Sequence, residues 1–119
     1  MSKIMVVDDE DSIRAAVKVA LELEGFEVSE AESADAAWKK LQKSKPDLLL
    51  LDVMMPGMTP RELIKKIRDD TKLKDLKIIF VTAVMGAKEA LKDTKGIVAT
   101  VEKPFDNKKL VAEIKKALK

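Results

Sequence analysis

Leu48-Leu49-Leu50-Leu51-Asp52 is apolar at four successive positions and then abruptly acidic. No face of the segment is left polar, so it reads as a strand covered on both sides, as in a parallel sheet. Ile4-Met5-Val6-Val7, followed by Asp8-Asp9, has the same form, and so does Ile78-Ile79-Phe80-Val81, followed by Thr82. Phe26-Glu27-Val28-Ser29-Glu30 alternates instead, which predicts an edge strand. Ile97 to Val101 supplies a fifth strand, ending just before Glu102 and Lys103.

Helix-period stretches fill the gaps between these runs. Ile13, Val17, Ala20 and Leu21 form one stripe, with Gly25 where a C-terminal cap belongs. Ser33 is placed to cap a second helix with Ala34, Ala37, Trp38 and Leu41 on its inner face, and Pro46 lies beyond its end. Thr59-Pro60-Arg61-Glu62 is a capping box with proline at the first helical position, leading into Leu63, Ile64 and Ile67. A fourth helix around Ala87 to Asp93 has only Ala87, Ala90 and Leu91 as its apolar face. Leu110, Val111, Ile114 and Leu118 mark the last.

Five strand–helix units in succession predict a doubly wound α/β fold with helices on both faces of a parallel sheet. Right-handed crossovers and an edge position for the second strand give the order 2-1-3-4-5. Ligands in such sheets bind at the carboxyl ends of the strands, where the order reverses, here between strands one and three. Those ends carry Asp8-Asp9 and Asp52.

Composition fits one soluble domain and excludes several chemistries. The 119 residues leave no room for a second domain, and 46% of them are hydrophobic, enough for a packed core. Charged residues reach 37%, yet the net charge is only +2, so bulk charge points to no direct nucleic-acid partner. The lysines near the C-terminus, from Lys108 to Lys119, suit the cationic end of a helix. Without cysteine there is no disulfide or thiolate chemistry, and without histidine no imidazole base, ligand or phosphoryl carrier. No secretory leader or membrane span is expected, since Ile4 to Val7 is short and ends at once in acids. A cytoplasmic location is the expectation.

Three carboxylates brought together at one sheet edge repel, and a cation or protons must relieve them. Oxygen ligands alone suit a hard cation, Mg²⁺ before Ca²⁺, which would want more protein oxygens. Asp9, Glu10 and Asp11 also read as acids in the first turn of a helix, favoured by its dipole. That account does not reach Asp8, which directly follows a buried strand. A hydroxyl at Thr82 and an ammonium at Lys103, also at strand ends, suit the non-bridging oxygens of a phosphoryl group.

Taken in order, Val6-Val7-Asp8-Asp9-Glu10, Leu51-Asp52 with Met54-Met55-Pro56-Gly57-Met58, Val81-Thr82-Ala83 and Lys103-Pro104-Phe105 span the chain. This set resembles the receiver domain of two-component response regulators, in the stand-alone, CheY-like form. The resemblance implies a flavodoxin-like fold over residues 1–119 and a Mg²⁺-dependent signalling switch rather than a conventional enzyme. It implies Asp52 as phosphoacceptor. Asp9, Asp52 and the Met54 backbone carbonyl would ligate Mg²⁺, with Asp8 acting through water. Thr82 would bind a phosphoryl oxygen and move on activation, Lys103 would pair with Asp52 or its phosphoryl group, and the Lys103–Pro104 bond would be cis. A histidine kinase or histidine phosphotransfer protein would be the donor, and the face of helix 4, strand 5 and helix 5 would meet an output protein. A monomer or weak dimer, with no membrane contact, completes the expectation.

Thr100 departs from the family pattern. An aromatic switch residue usually stands three positions before the site lysine, and this chain has no tyrosine at all. Thr100 is therefore expected to be a passive member of the switch, leaving Thr82 and the following loop to carry the change. A haloacid-dehalogenase-type phosphatase would need Asp-x-Asp after the first strand, whereas Asp8 and Asp9 are adjacent. A pseudo-receiver would lack site residues, and none is missing here. A receiver cut from a larger regulator or hybrid kinase fits the sequence equally well.

Overall fold

The computed structural model describes residues 2–52, 60–82, 97–102 and 107–118. Five strands, β1 (Lys3–Val7), β2 (Glu27–Ala31), β3 (Leu48–Asp52), β4 (Lys77–Thr82) and β5 (Ile97–Glu102), make one sheet of order 2-1-3-4-5. Every pairing is parallel. The helices described are α1 (Asp11–Leu23), α2 (Ala34–Leu41), α3 (Pro60–Asp69) and a C-terminal helix (Asn107–Leu118). The expected fourth helix, around Ala87 to Asp93, lies outside the described residues, as does Thr59 of the capping box.

The apolar strands serve two cores at once. Alternate side chains point to opposite faces. Met5, Val7, Leu49, Leu51, Ile78 and Phe80 join one cluster with α2 and α3. Ile4, Val6, Leu48, Leu50, Ile79 and Val81 join the other, with α1 and the C-terminal helix. This is why no position in β1 or β3 between Ile4 and Val7, or Leu48 and Leu51, can be polar. β2 pairs with a strand on one side only, and its residues alternate between exposed and half-buried until Ala31.

Local signals act where the sequence puts them. Gly25 has φ +91° and closes α1 in a Schellman arrangement. Gly25 N–H donates to the Glu22 carbonyl at 3.0 Å, and Phe26 N–H to that of Leu21 at 3.1 Å. Phe26 packs in the cluster that contains Leu21, which supplies the apolar contact of that motif. Ser33 caps α2, its hydroxyl accepting from Ala36 N–H at 3.0 Å. Trp38 is half-buried, with the Lys66 ammonium 5.6 Å from its ring centre. One element is new. The turn between α3 and β4 buries Leu73 and Leu76. Asp70 folds this turn, accepting Lys72 N–H at 2.8 Å, while Arg68 donates to the Lys74 carbonyl at 2.5 Å. Among the described residues, no helix is long and apolar enough to cross a membrane.

Candidate metal centre

The register of β1 and β3 sets the site. Val7 pairs with Leu51, so the next residues, Asp8 just beyond β1 and Asp52 at the end of β3, stand side by side. Both are buried, each 4% exposed, and they are the only buried polar residues among those described. Asp9 is exposed above them. One carboxylate oxygen from each of the three lies within 4.8 Å of the others.

The turn after β1 explains why Asp8 and Asp9 stand apart from ordinary first-turn acids. α1 begins only at Asp11, and Glu10 occupies the N-cap with extended backbone (φ −91°, ψ 109°) and no side-chain capping bond. Asp8 turns the chain instead, its Oδ1 accepting Glu10 N–H at 2.9 Å. Its own N–H donates to the Ala31 carbonyl of β2 at 3.2 Å. The helix dipole thus accounts for Asp11, while Asp9 lies ahead of the helix.

Arg14, to which sequence reasoning gave no role, belongs to this turn. Its side chain is only 14% exposed. Nη1 donates to the Asp8 carbonyl at 2.6 Å, and Nη2 to Asp11 Oδ1 at 2.5 Å. Nε lies 3.4 Å from Glu30 Oε1 on β2, an ion pair not aligned as a hydrogen bond. Burial works against the cation, but Asp11 and Glu30 outweigh it and raise its pKa above the ordinary value. The sequence does hold a hint: a cation one turn into a helix opposes the dipole and needs a specific reason.

Thr82 is the last residue of β4, in register with Glu102. Asp52 pairs with Val81, so Thr82 stands one step beyond Asp52 at the same edge of the sheet. Thr100 lies within β5, opposite Phe80. Met54, Val84, Lys103 and the Lys103–Pro104 bond are outside the described residues.

The donor set is all carboxylate, close-set and partly buried, with no imidazole or thiolate anywhere in the chain. That chemistry fits a hard divalent cation which takes one or two carboxylates and keeps several waters, as Mg²⁺ does.

Known proteins resemble this chain along most of its length. The family described as the response regulator receiver domain matches residues 4–115. The phosphate regulon transcriptional regulatory protein PhoB of Pseudomonas aeruginosa is 38% identical over 117 residues, covering 98% of this chain and 51% of that protein. Chemotaxis protein CheY1 of Helicobacter pylori is 37% identical over 106 residues, 87% of this chain and 86% of its own length. The chain thus spans about half the length of the phosphate regulon proteins that it matches. Among solved structures, response regulator TrrA of Thermotoga maritima, in complex with Mg²⁺-BeF, superposes with a TM-score of 0.88 at 38% identity. That match covers 99% of this chain and all of TrrA. Chemotaxis protein CheY4 of Vibrio cholerae follows at 0.89 and 32% identity, covering 99% of both chains.

Proposed function

The chain belongs to the response regulator receiver domains, and from that premise we propose that Asp52 accepts a phosphoryl group beside Mg²⁺ held by Asp8 and Asp9. A receiver domain of a two-component response regulator is a phosphorylation-dependent signalling switch, not a conventional enzyme. The observation that carries the finer reading is the convergence of Asp8, Asp9 and Asp52 within 4.8 Å at the carboxyl ends of β1 and β3.

Each residue has a physical task. Asp52 is fixed at the end of a fully buried strand, so its carboxylate presents an oxygen in a constant place. That oxygen attacks phosphorus in line, and the donor leaves with the electron pair of the broken bond. The product on Asp52 is an acyl phosphate. Asp9 and Asp52, with the Met54 carbonyl, would hold Mg²⁺ directly, and Asp8 would hold it through water. The ion supplies neutralisation of the charge on the transferring group. Lys103 adds a second cation for the same oxygens, and Thr82 a hydroxyl donor. This domain has no histidine, so the phosphoryl group comes from a phosphohistidine outside it or from a small phosphodonor. Met54 and Val84, two residues after Asp52 and Thr82 respectively, would flank the path of a hydrolytic water, and being apolar they offer no polar group to orient it.

The output face would be formed by β5, the C-terminal helix and the segment between β4 and β5. With Thr100 in place of an aromatic ring, the change is carried by Thr82 and the residues after it. The domain acts in the cytoplasm as a monomer or weak dimer and contacts no nucleic acid itself. The same reading holds for a receiver that forms part of a longer regulator.

Intact-mass spectrometry after incubation with acetyl phosphate and Mg²⁺ tests this. One phosphoryl group should appear on the protein, require Mg²⁺, and be lost entirely in Asp52→Ala. Labelling that persists in that variant would move the acceptor elsewhere.

A further inference from the structure

We infer that Arg14 is a positioning residue for the metal centre: it fixes the turn that presents Asp8 and Asp9, and so sets the affinity for Mg²⁺. The inference rests on the metal reading above and goes beyond it to a residue that touches neither metal nor phosphoryl group.

The turn between β1 and α1 is short, and its two acids must face a third. Left alone, Asp8 and Asp9 would relax away from Asp52, because like charges at this distance repel. Three of the bonds that Asp8 makes hold this turn. Its N–H is tied to β2 through the Ala31 carbonyl, and its carboxylate is tied forward to Glu10 N–H. Its carbonyl is tied to Arg14, and this third hold is the only one of the three made by a side chain reaching back from the helix. The guanidinium is itself anchored, to Asp11 within α1 and to Glu30 on β2. Glu30 is in turn held by the Lys18 ammonium at 3.6 Å and by Lys40, whose ammonium donates to the Glu30 carbonyl. Arg14 therefore ties the acid-bearing turn to both the helix and the edge strand. Arginine suits the task because its planar fork offers several donors in fixed directions, which lysine cannot.

Two effects of Arg14 on Mg²⁺ have opposite signs, and this makes the inference testable. As a nearby positive charge, Arg14 repels a cation, so removing it should tighten Mg²⁺ binding. As a positioning residue it pre-organises the ligands, and loss of such an outer partner weakens metal binding, commonly 10- to 100-fold. We take positioning to dominate, because the guanidinium's charge already faces Asp11 and Glu30.

The test is a Mg²⁺ titration by calorimetry on the wild type, Arg14→Met, Arg14→Lys and Lys39→Met, at fixed ionic strength. Arg14→Met should bind Mg²⁺ about tenfold more weakly. Arg14→Lys, with the charge kept and the fork lost, should fall between it and the wild type. Lys39→Met removes an exposed cation of α2 that has no part in the Arg14–Glu30 anchorage, and should bind as the wild type does. Equal or tighter binding by Arg14→Met overturns the inference, as does an equal weakening in Lys39→Met. If Arg14→Met fails to fold by circular dichroism, Arg14→Lys decides: weaker binding supports positioning, and unchanged binding overturns it. A wild type that binds no Mg²⁺ would instead defeat the metal reading itself.

Discussion

At the amino end of the sheet Asp47 makes a closed exchange with β1. Its Oδ2 accepts Lys3 N–H at 2.7 Å, and its own N–H donates to the Lys3 carbonyl at 2.8 Å. Nearby, the Lys77 ammonium donates to the Ala117 carbonyl at 2.6 Å, in the last turn of the C-terminal helix. At the carboxyl end, some five residues along the same strands, Asp8, Asp9 and Asp52 gather instead within 4.8 Å. The same side chain thus serves two purposes. Where a carboxylate meets a backbone N–H, it adds stability; where three meet one another, they withhold it and leave a place for a cation. The buried strands between make this tolerable, since their apolar contacts do not depend on either end.

This contrast can be broken most directly with the metal itself. At ten times its dissociation constant, Mg²⁺ should stabilise the domain by about 1.4 kcal/mol, a few degrees in melting temperature. An unchanged melting curve across a Mg²⁺ titration would remove the claim that the carboxyl end is held short of its full stability. A smaller effect is expected from Asp47→Ala, which should cost about 1 kcal/mol by freeing the Lys3 N–H. Chemical denaturation measures it, and the loss should be the same with and without Mg²⁺. The smallest effect has the opposite sign. Asp9→Asn should stabilise the metal-free domain by about 0.5 kcal/mol, the scale of solvent-exposed charge pairs, since it takes one exposed charge out of the cluster. It should also blunt the response to Mg²⁺. A loss of metal-free stability in Asp9→Asn would mean that the two ends do not differ in kind.

Much of the fold and of the acid cluster is legible in the amino-acid sequence, and the reason is periodicity. Leu48 to Leu51 and Ile4 to Val7 are apolar at every position because each face of the sheet carries its own core, as a covered parallel strand requires. Gly25 and Ser33 are readable because a positive φ and a capping hydroxyl are demands of the local chain. Asp8 and Asp52 are readable because strand ends at a reversal of order place the residues that follow. Leu73 and Leu76 escape such reading because a buried turn has no period to detect. Arg14 escapes because its meaning lies in Asp8 and Glu30, six and sixteen residues away, and helical spacing relates it only to Asp11. The turn-forming role of Asp8 is hidden for another reason: the metal role proposed for it already accounts for an acid there, and one carboxylate has two oxygens to give.

The position of β1 in the sheet has a consequence for how the domain is made. It is the earliest of the five strands in the chain, and it pairs with both β2 and β3. On a ribosome adding about 5–20 residues per second, Leu48 follows its partner Ile4 by roughly two to nine seconds. Through that interval Ile4, Met5, Val6 and Val7 have no completed neighbour on the β3 side. A nascent chain in this state exposes an apolar strand edge, the surface that chaperones recognise and that pairs with the wrong neighbour. The strand that delivers Asp8 is the first to be synthesised, and it waits for the one that delivers Asp52.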